Sequence, residues 1–394
     1  MSSQRLANID AFFKSEINRN RVPGAVVAIA RNGKLAYFKA FGFADKAKGV
    51  AMSTDKIFQL ASMTKPLAAM GAVGALGALA LTEQGRLPLQ GKLADYFPAF
   101  GTMQVGVPTA DGKFTLEPQK RPITVHDQFR HTSGLTYGGR PDGGSPIAAL
   151  WPSGAAAWQM GSASAMVDKL TALPLVYQPG TVFEYSLSFD VLGAVVEKIT
   201  SKTLGGHLSD TVWQPLKMSD TFFSVPTDKR ARVAQPLPIN PIGGKPQSIA
   251  AINRAASFDC GGACAWSTMG DYIRFGQMLV NGGSLDGAQV LSPAFVTLMT
   301  SNHLGADIVN RVANVEPHRG GYGFGLGVAV RLQAGLAAVP GNPGEYSWNG
   351  ANGTGFLVDP QQQLVVAYGT AAPGEIRKYN REQVQDLVYG ALTR

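Results

Sequence analysis

The chain has 394 residues, is 45% hydrophobic and 16% charged, and carries 47 glycines and a formal net charge of +8. That length exceeds an ordinary single domain, so one large domain or two interlocked ones are expected, with an ordinary globular composition. The positive charge is scattered, and a group such as 113–121 holds only Lys113, Lys120 and Arg121, which argues against a nucleic-acid surface.

Leu6, Ile9, Phe12, Phe13 and Ile17 recur at helical spacing. The N-terminus therefore reads as an amphipathic helix and not as the apolar core of a secretion signal. With no such signal visible, a cytoplasmic location is expected. Residues 24–30 and 34–43 read as strands, and Asn32-Gly33 between them is a hairpin turn signal.

The tetrapeptide Ser62-Met63-Thr64-Lys65 follows a short apolar run and precedes Pro66. Residues three apart share a helix face, so the lysine amine can reach the serine oxygen. A serine needs a nearby base to act as a nucleophile, and S-x-x-K is the signature of penicillin-recognising serine enzymes. Proline is tolerated in the first turn of a helix, so Pro66 fixes the helix start near Ser62, at the positive end of the dipole. Taken alone, the tetrapeptide also fits a serine N-cap followed by a solvated lysine. A second copy, Ser53-Thr54-Asp55-Lys56, lies in a polar stretch that reads as a turn.

The run 66–81 is the longest uncharged apolar stretch, shorter than the ~20 residues that cross a bilayer. Rich in Ala and Gly, it reads as a buried helix ending near Gln84-Gly85, and no membrane span is expected. From there to about residue 220 the pattern is mainly helical, at 125–130, 155–173, 189–200 and 204–213. Pro- and Gly-rich loops interrupt the middle of the chain at 101–122, 138–154 and 225–247. Cys260 and Cys264 have no histidine cluster nearby, so they form no zinc site; without a secretion signal they are expected to be reduced, with a local disulfide or redox pair as the alternative. The five histidines lack metal-ligand spacing; neither a metal nor a cofactor is expected. Strand patterns return at 322–332, 345–358 and 363–370, and Val384, Leu387, Val388, Ala391 and Leu392 form a helical stripe. The predicted class is α+β. An antiparallel sheet flanked by N- and C-terminal helices comes from 1–65 and 270–394, and a mainly helical inserted domain from 66–269, with the active site at their interface.

These elements, in this order, resemble the serine β-lactamase and penicillin-binding protein fold. Phe58-Gln59-Leu60-Ala61-Ser62-Met63-Thr64-Lys65 resembles the nucleophile segment of class C β-lactamases and family VIII carboxylesterases. His131-Thr132-Ser133-Gly134-Leu135 matches a run common in that superfamily, and Tyr185-Ser186-Leu187-Ser188 resembles its tyrosine segment. Trp348-Asn349-Gly350 sits where the third motif belongs. The similarity runs over residues 5–390. It implies a serine hydrolase with Ser62 as nucleophile and Lys65 and Tyr185 as proton relay. It also implies an oxyanion hole made by the backbone N–H groups of Ser62 and Ala351.

Two departures bear on the substrate. Leu187 stands where β-lactamases usually carry an asparagine that binds a substrate carbonyl. Trp348 stands where they carry the lysine of Lys-Thr-Gly, which helps hold a carboxylate. Both departures resemble family VIII carboxylesterases and point to a neutral ester of short-to-medium acyl length, with Trp348, Leu187, Gly350 and Tyr137 as substrate-binding residues. A β-lactamase, a D-amino-acid peptidase or amidase, and an acyltransferase remain alternatives on the same fold. A catalytically silent binding protein would be expected to have lost one of Ser62, Lys65 and Tyr185. The G-x-S-x-G elbow of α/β-hydrolases is absent from the sequence.

Overall fold

A computed structural model describes residues 1–73, 80–139 and 145–393. Its centre is an eight-stranded antiparallel sheet. Chain order gives β1 (Gly24–Arg31), β2 (Lys34–Asp45), β3 (Val50–Ala51), β4 (Tyr322–Phe324), β5 (Ala329–Arg331), β6 (Tyr346–Gly350), β7 (Thr354–Asp359) and β8 (Leu364–Gly369). In space the order is β4-β5-β6-β7-β8-β1-β2-β3, so strands from the two ends of the chain meet at the β8–β1 pair, with Ala28 opposite Ala367. The β1–β2 hairpin turns at Asn32 and Gly33 with φ of 52° and 72°, the left-handed pair that a two-residue hairpin loop requires.

Strand β1 is a continuous apolar run because both of its faces are covered. Ala25, Val27 and Ile29 face a cluster built by helix α1 (Ser3–Asn18) and the C-terminal helix, through Leu6, Ile9, Phe13, Val384 and Val388. Val26, Ala28 and Ala30 belong to the larger core, which holds Met269, Tyr272, Phe275 and Met278 of a helix at Met269–Val280 and the apolar side chains of the middle of the chain. A helix at Ser188–Thr200 contributes Phe189, Val191, Leu192 and Val195 to that core. Among the described residues no helix is long and apolar enough to cross a membrane.

The structure redraws several expected elements. The run 322–332 is two strands, because Gly325 and Gly327 turn the chain between β4 and β5. The run 345–358 is also two strands, broken at 351–353. The expected loop 101–122 contains an exposed hairpin, Gln104–Pro108 with Phe114–Pro118. The stretch 155–173 is divided into helices Gly154–Ala157 and Ala163–Leu170, with Gly161 at φ 96° between them. The helix after Lys65 runs over Thr64–Val73, and its expected course through 74–79 lies outside the described residues. The expectation of reduced thiols is overturned: Cys260 and Cys264 form a disulfide, their Cα atoms brought to 5.3 Å by the tight turn at Gly261-Gly262.

Candidate active site

The nucleophile segment is held from both sides. Phe58 and Gln59 pair with Ser267 and Trp266, and the Leu60 N–H donates to Ala265 O at 2.9 Å. The chain then makes a 3₁₀ turn, Ala61–Met63, that leads directly into the helix at Thr64. Ala61 adopts φ 46°, a left-handed conformation that costs a non-glycine residue about 1–2 kcal/mol. A buried glutamine holds it there: Gln59 Oε1 accepts the Ala61 N–H at 2.9 Å while Gln59 Nε2 donates to Ala263 O at 2.6 Å. Asn352 Nδ2 also donates to Gln59 Oε1. One side chain thus ties the turn before Ser62 to the disulfide loop and to the β6–β7 turn.

Lys65 is fully buried. Its Nζ lies 3.4 Å from Ser62 Oγ, 3.3 Å from Tyr137 Oη and 2.7 Å from Gly262 O. It also sits 4.5 Å from the centre of the Tyr185 ring. Ser62, Tyr137, Tyr185 and Ala351 line one open cleft of ≈ 610 Å³, together with Ala155, Trp158 and Val315. Glu375, Arg377 and Lys378 carry the charge in its wall. The second S-x-x-K copy has no comparable setting, because Ser53 Oγ donates to the Asp55 carboxylate in an open turn.

Not every expected substrate-binding residue reaches the cleft. Leu187 and Trp348 lie in the interior, 0% and 1% exposed, and this corrects their assignment as substrate contacts. Leu187 sits just before the helix Ser188–Thr200, where its side chain joins the large core. Trp348 supports Tyr185 from beneath: Nε1–H donates to Tyr185 Oη at 3.4 Å, and the two rings are 5.4 Å apart. Gly350 acts through its backbone, since a Cβ there would lie 2.1 Å from Leu60 O. That close approach, with Thr354 Oγ1 donating to Leu60 O at 2.9 Å, fixes the end of β6 against the Ser62 turn. His131 is buried, with Nδ1 3.1 Å from Ser186 Oγ. Burial, and then the charge of Lys65, push its imidazole well below the usual range and keep it neutral. Among the described residues no cluster of His, Cys, Asp and Glu is placed to hold a metal.

Asp190 is the titratable group that sequence reasoning missed. It accepts from the Gly262 N–H at 3.0 Å and from Trp158 Nε1–H at 3.1 Å. A Cβ at Gly262 would meet Asp190 Oδ2 at 2.4 Å, so only glycine fits against the carboxylate. Asp190 thereby anchors the loop whose Gly262 carbonyl receives Lys65. Burial pushes its carboxyl up to about 6, against the opposing pull of Lys65 and the Gly262 N–H. The folded state therefore holds this proton more tightly than the unfolded chain, whose carboxyl titrates near 3.9. The contribution of Asp190 to stability is greatest below about pH 4, falls as pH rises to about 6, and is constant above. Asp190→Asn is expected to remove a decline on the order of 3 kcal/mol across that window. Urea unfolding of both proteins at pH 4 and pH 7 checks it; equal pH dependence in the two would contradict the assignment. Asp271, also pushed up to about 6 by burial, leaves part of the decline in the variant.

Comparison with known proteins agrees with this geometry. The sequence pattern of the beta-lactamase family matches residues 9–389. The chain belongs to the beta-lactamase family. It is 30% identical over 369 residues to Esterase EstB of Burkholderia gladioli, covering 90% of this chain and 87% of that protein. It is 29% identical over 384 residues to the lovastatin esterase of Penicillium rubens, covering 90% of each. The solved structure of EstCE1, described as a hydrolase with promiscuous acyltransferase activity, superposes with a TM-score of 0.79 at 27% identity, over 98% of this chain and 99% of that one. The resemblance and the α+β architecture expected from the sequence are both borne out. In this beta-lactamase-family chain the cleft that holds Ser62 is lined by Ala155 and Trp158 from the middle of the chain and by Ala351 from the turn after β6.

Proposed function

We infer that the protein is a serine carboxylesterase that hydrolyses short-to-medium acyl esters through an acyl-enzyme on Ser62. The observation that carries this reading is the buried Lys65 amine beside Ser62 Oγ in a cleft that also exposes Ala351. Similarity to two proteins named as esterases favours an ester over an amide substrate.

The site's hydrogen-bond inventory suggests the proton path. Lys65 Nζ donates to Gly262 O and to Tyr137 Oη, and its third polar neighbour is Ser62 Oγ, the atom whose proton it is placed to receive. Ser62 Oγ bonds to the ester carbon as its proton passes to Lys65, and the carbonyl electron pair moves to oxygen. The N–H groups of Ser62 and Ala351 receive that oxyanion. Collapse breaks the bond to the alkoxy oxygen, which leaves with the proton through Lys65 and Tyr185. Water then repeats the sequence on the acyl-enzyme and releases the acid. Ala155, Trp158, Tyr137, Tyr185 and Val315 offer an apolar and aromatic wall to an uncharged acyl group. We assign residues 1–65 and 270–394 to one domain and 66–269 to the other, with this cleft between them.

A fluorophosphonate probe followed by peptide mass mapping tests the assignment. Stoichiometric modification of the peptide carrying Ser62 is expected, and a folded protein left unlabelled would refute it. Transfer of the acyl group to an alcohol is a second reading, favoured by the activity described for EstCE1. The ratio of methyl ester to free acid formed in methanol–water mixtures separates the two.

A further inference from the structure

Gly350 O and the Ala351 N–H belong to one peptide unit, planar and conjugated. The N–H end is the proposed oxyanion donor. The carbonyl end accepts hydrogen bonds from the Gly353 N–H at 3.2 Å and from Nη2 of Arg381, on the C-terminal helix Ile376–Gly390. Arg381 is 4% exposed, and its Nη1 donates to Glu316 Oε1. Glu316 is also buried. Burial alone would raise its carboxyl, but Arg381, Arg319 and His318 overcome this and hold it below the usual carboxylate range. A cation donating to an amide oxygen draws electron density from the nitrogen and strengthens the N–H as a donor, and low local polarity enhances the effect.

We propose that Arg381 is a positioning residue of the oxyanion hole, polarising and orienting the Gly350–Ala351 peptide so that its N–H receives the developing oxyanion. Glu316 holds the guanidinium on that carbonyl. The proposal rests on the reading of Ser62 as nucleophile and Ala351 N–H as donor. Its effect falls on the tetrahedral state, where the oxygen is charged, and spares the ground-state complex, where it is not.

The test compares wild type with Arg381→Gln and Arg381→Lys, reading kcat and KM for p-nitrophenyl butyrate, the affinity for an alkyl boronic acid that forms a tetrahedral adduct, and thermal unfolding. Arg381→Gln is expected to lower kcat about 10- to 100-fold, less than outright loss of an oxyanion donor, with KM within about twofold. Boronic acid affinity should fall with kcat. Arg381→Lys, which keeps a charged donor, should recover most of both. Arg381→Gln alone removes the guanidinium that pairs directly with the buried Glu316 carboxylate. If that variant does not fold, the double variant Arg381→Gln/Glu316→Gln removes both charges and carries the same expectation. A folded glutamine variant, single or double, with wild-type kcat and boronic acid affinity overturns the proposal. So does a loss confined to KM, or equal losses in the lysine and glutamine variants. If Ser62→Ala kept its turnover, the reading of the site itself would fail, whatever the Arg381 variants did.

Discussion

Ser62→Ala is expected to reduce kcat for p-nitrophenyl butyrate by about five to six orders of magnitude, to the background of the assay. The substitution removes the atom that forms the acyl bond, and the described second S-x-x-K serine cannot replace it. Ser53 donates to a carboxylate in an exposed turn, without the buried amine or the facing Ala351 that surround Ser62. The same change should leave folding almost untouched. Ser62 is only partly buried, and its hydroxyl contact with Lys65 is long, at 3.4 Å, so the change in unfolding free energy is expected below about 1 kcal/mol. Turnover and thermal unfolding measured together on one preparation test both halves. Turnover above a tenth of wild type would place the nucleophile elsewhere. A large loss of stability would mean that lost activity says nothing about chemistry.

Lys65→Met is expected to lower kcat by about three to four orders of magnitude, because the chain length and apolar volume are kept and the proton acceptor is not. Ser62 would keep its backbone position, so the protein should still react with the fluorophosphonate probe, but slowly. The substitution has a second signature. Lys65 exerts a downward pull on the Asp190 carboxyl, and its removal should move that group above about 6. The pH dependence of unfolding would then extend to higher pH than in wild type. A Lys65→Met enzyme within tenfold of wild type would transfer proton removal to a tyrosine. Tyr137→Phe and Tyr185→Phe would then decide between the hydroxyl hydrogen-bonded to Lys65 and the one held by Trp348.

What was legible in the sequence was local. Asn32-Gly33 marked its hairpin because only a few residue types tolerate two successive positive φ values. Ser62, Lys65 and Pro66 marked theirs because one helical turn brings i and i+3 together. Strand breaks were less legible: 322–332 carries no charge before Arg331, and only the geometry of Gly325 and Gly327 divides it. The 104–118 hairpin escaped because neither strand has a fully buried face and its turn residues resemble any polar loop. The supports of the site were not legible at all. Gln59 meets Ala263, Asp190 meets Gly262, and Arg381 meets Gly350, in each case between residues distant in sequence and of types common on any surface. Trp348 was misplaced for the same reason. Its motif position fixed the backbone beside the cleft, while the indole turned inward beneath Tyr185, where Arg319 lies 4.8 Å from its ring.

The pairing of β1 with β8 has a consequence for synthesis. Strand β1 leaves the ribosome early, but its partner at 364–369 follows roughly 330 residues later, a delay of roughly 15–70 s at ordinary elongation rates. During that interval β1, with Val26, Val27 and Ile29, has its β8-facing edge unpaired, and a bare apolar edge is the kind that recruits strands from other chains. Holdase chaperones that shield short apolar segments would find their target in this strand, and premature termination before residue 364 would leave that edge permanently open.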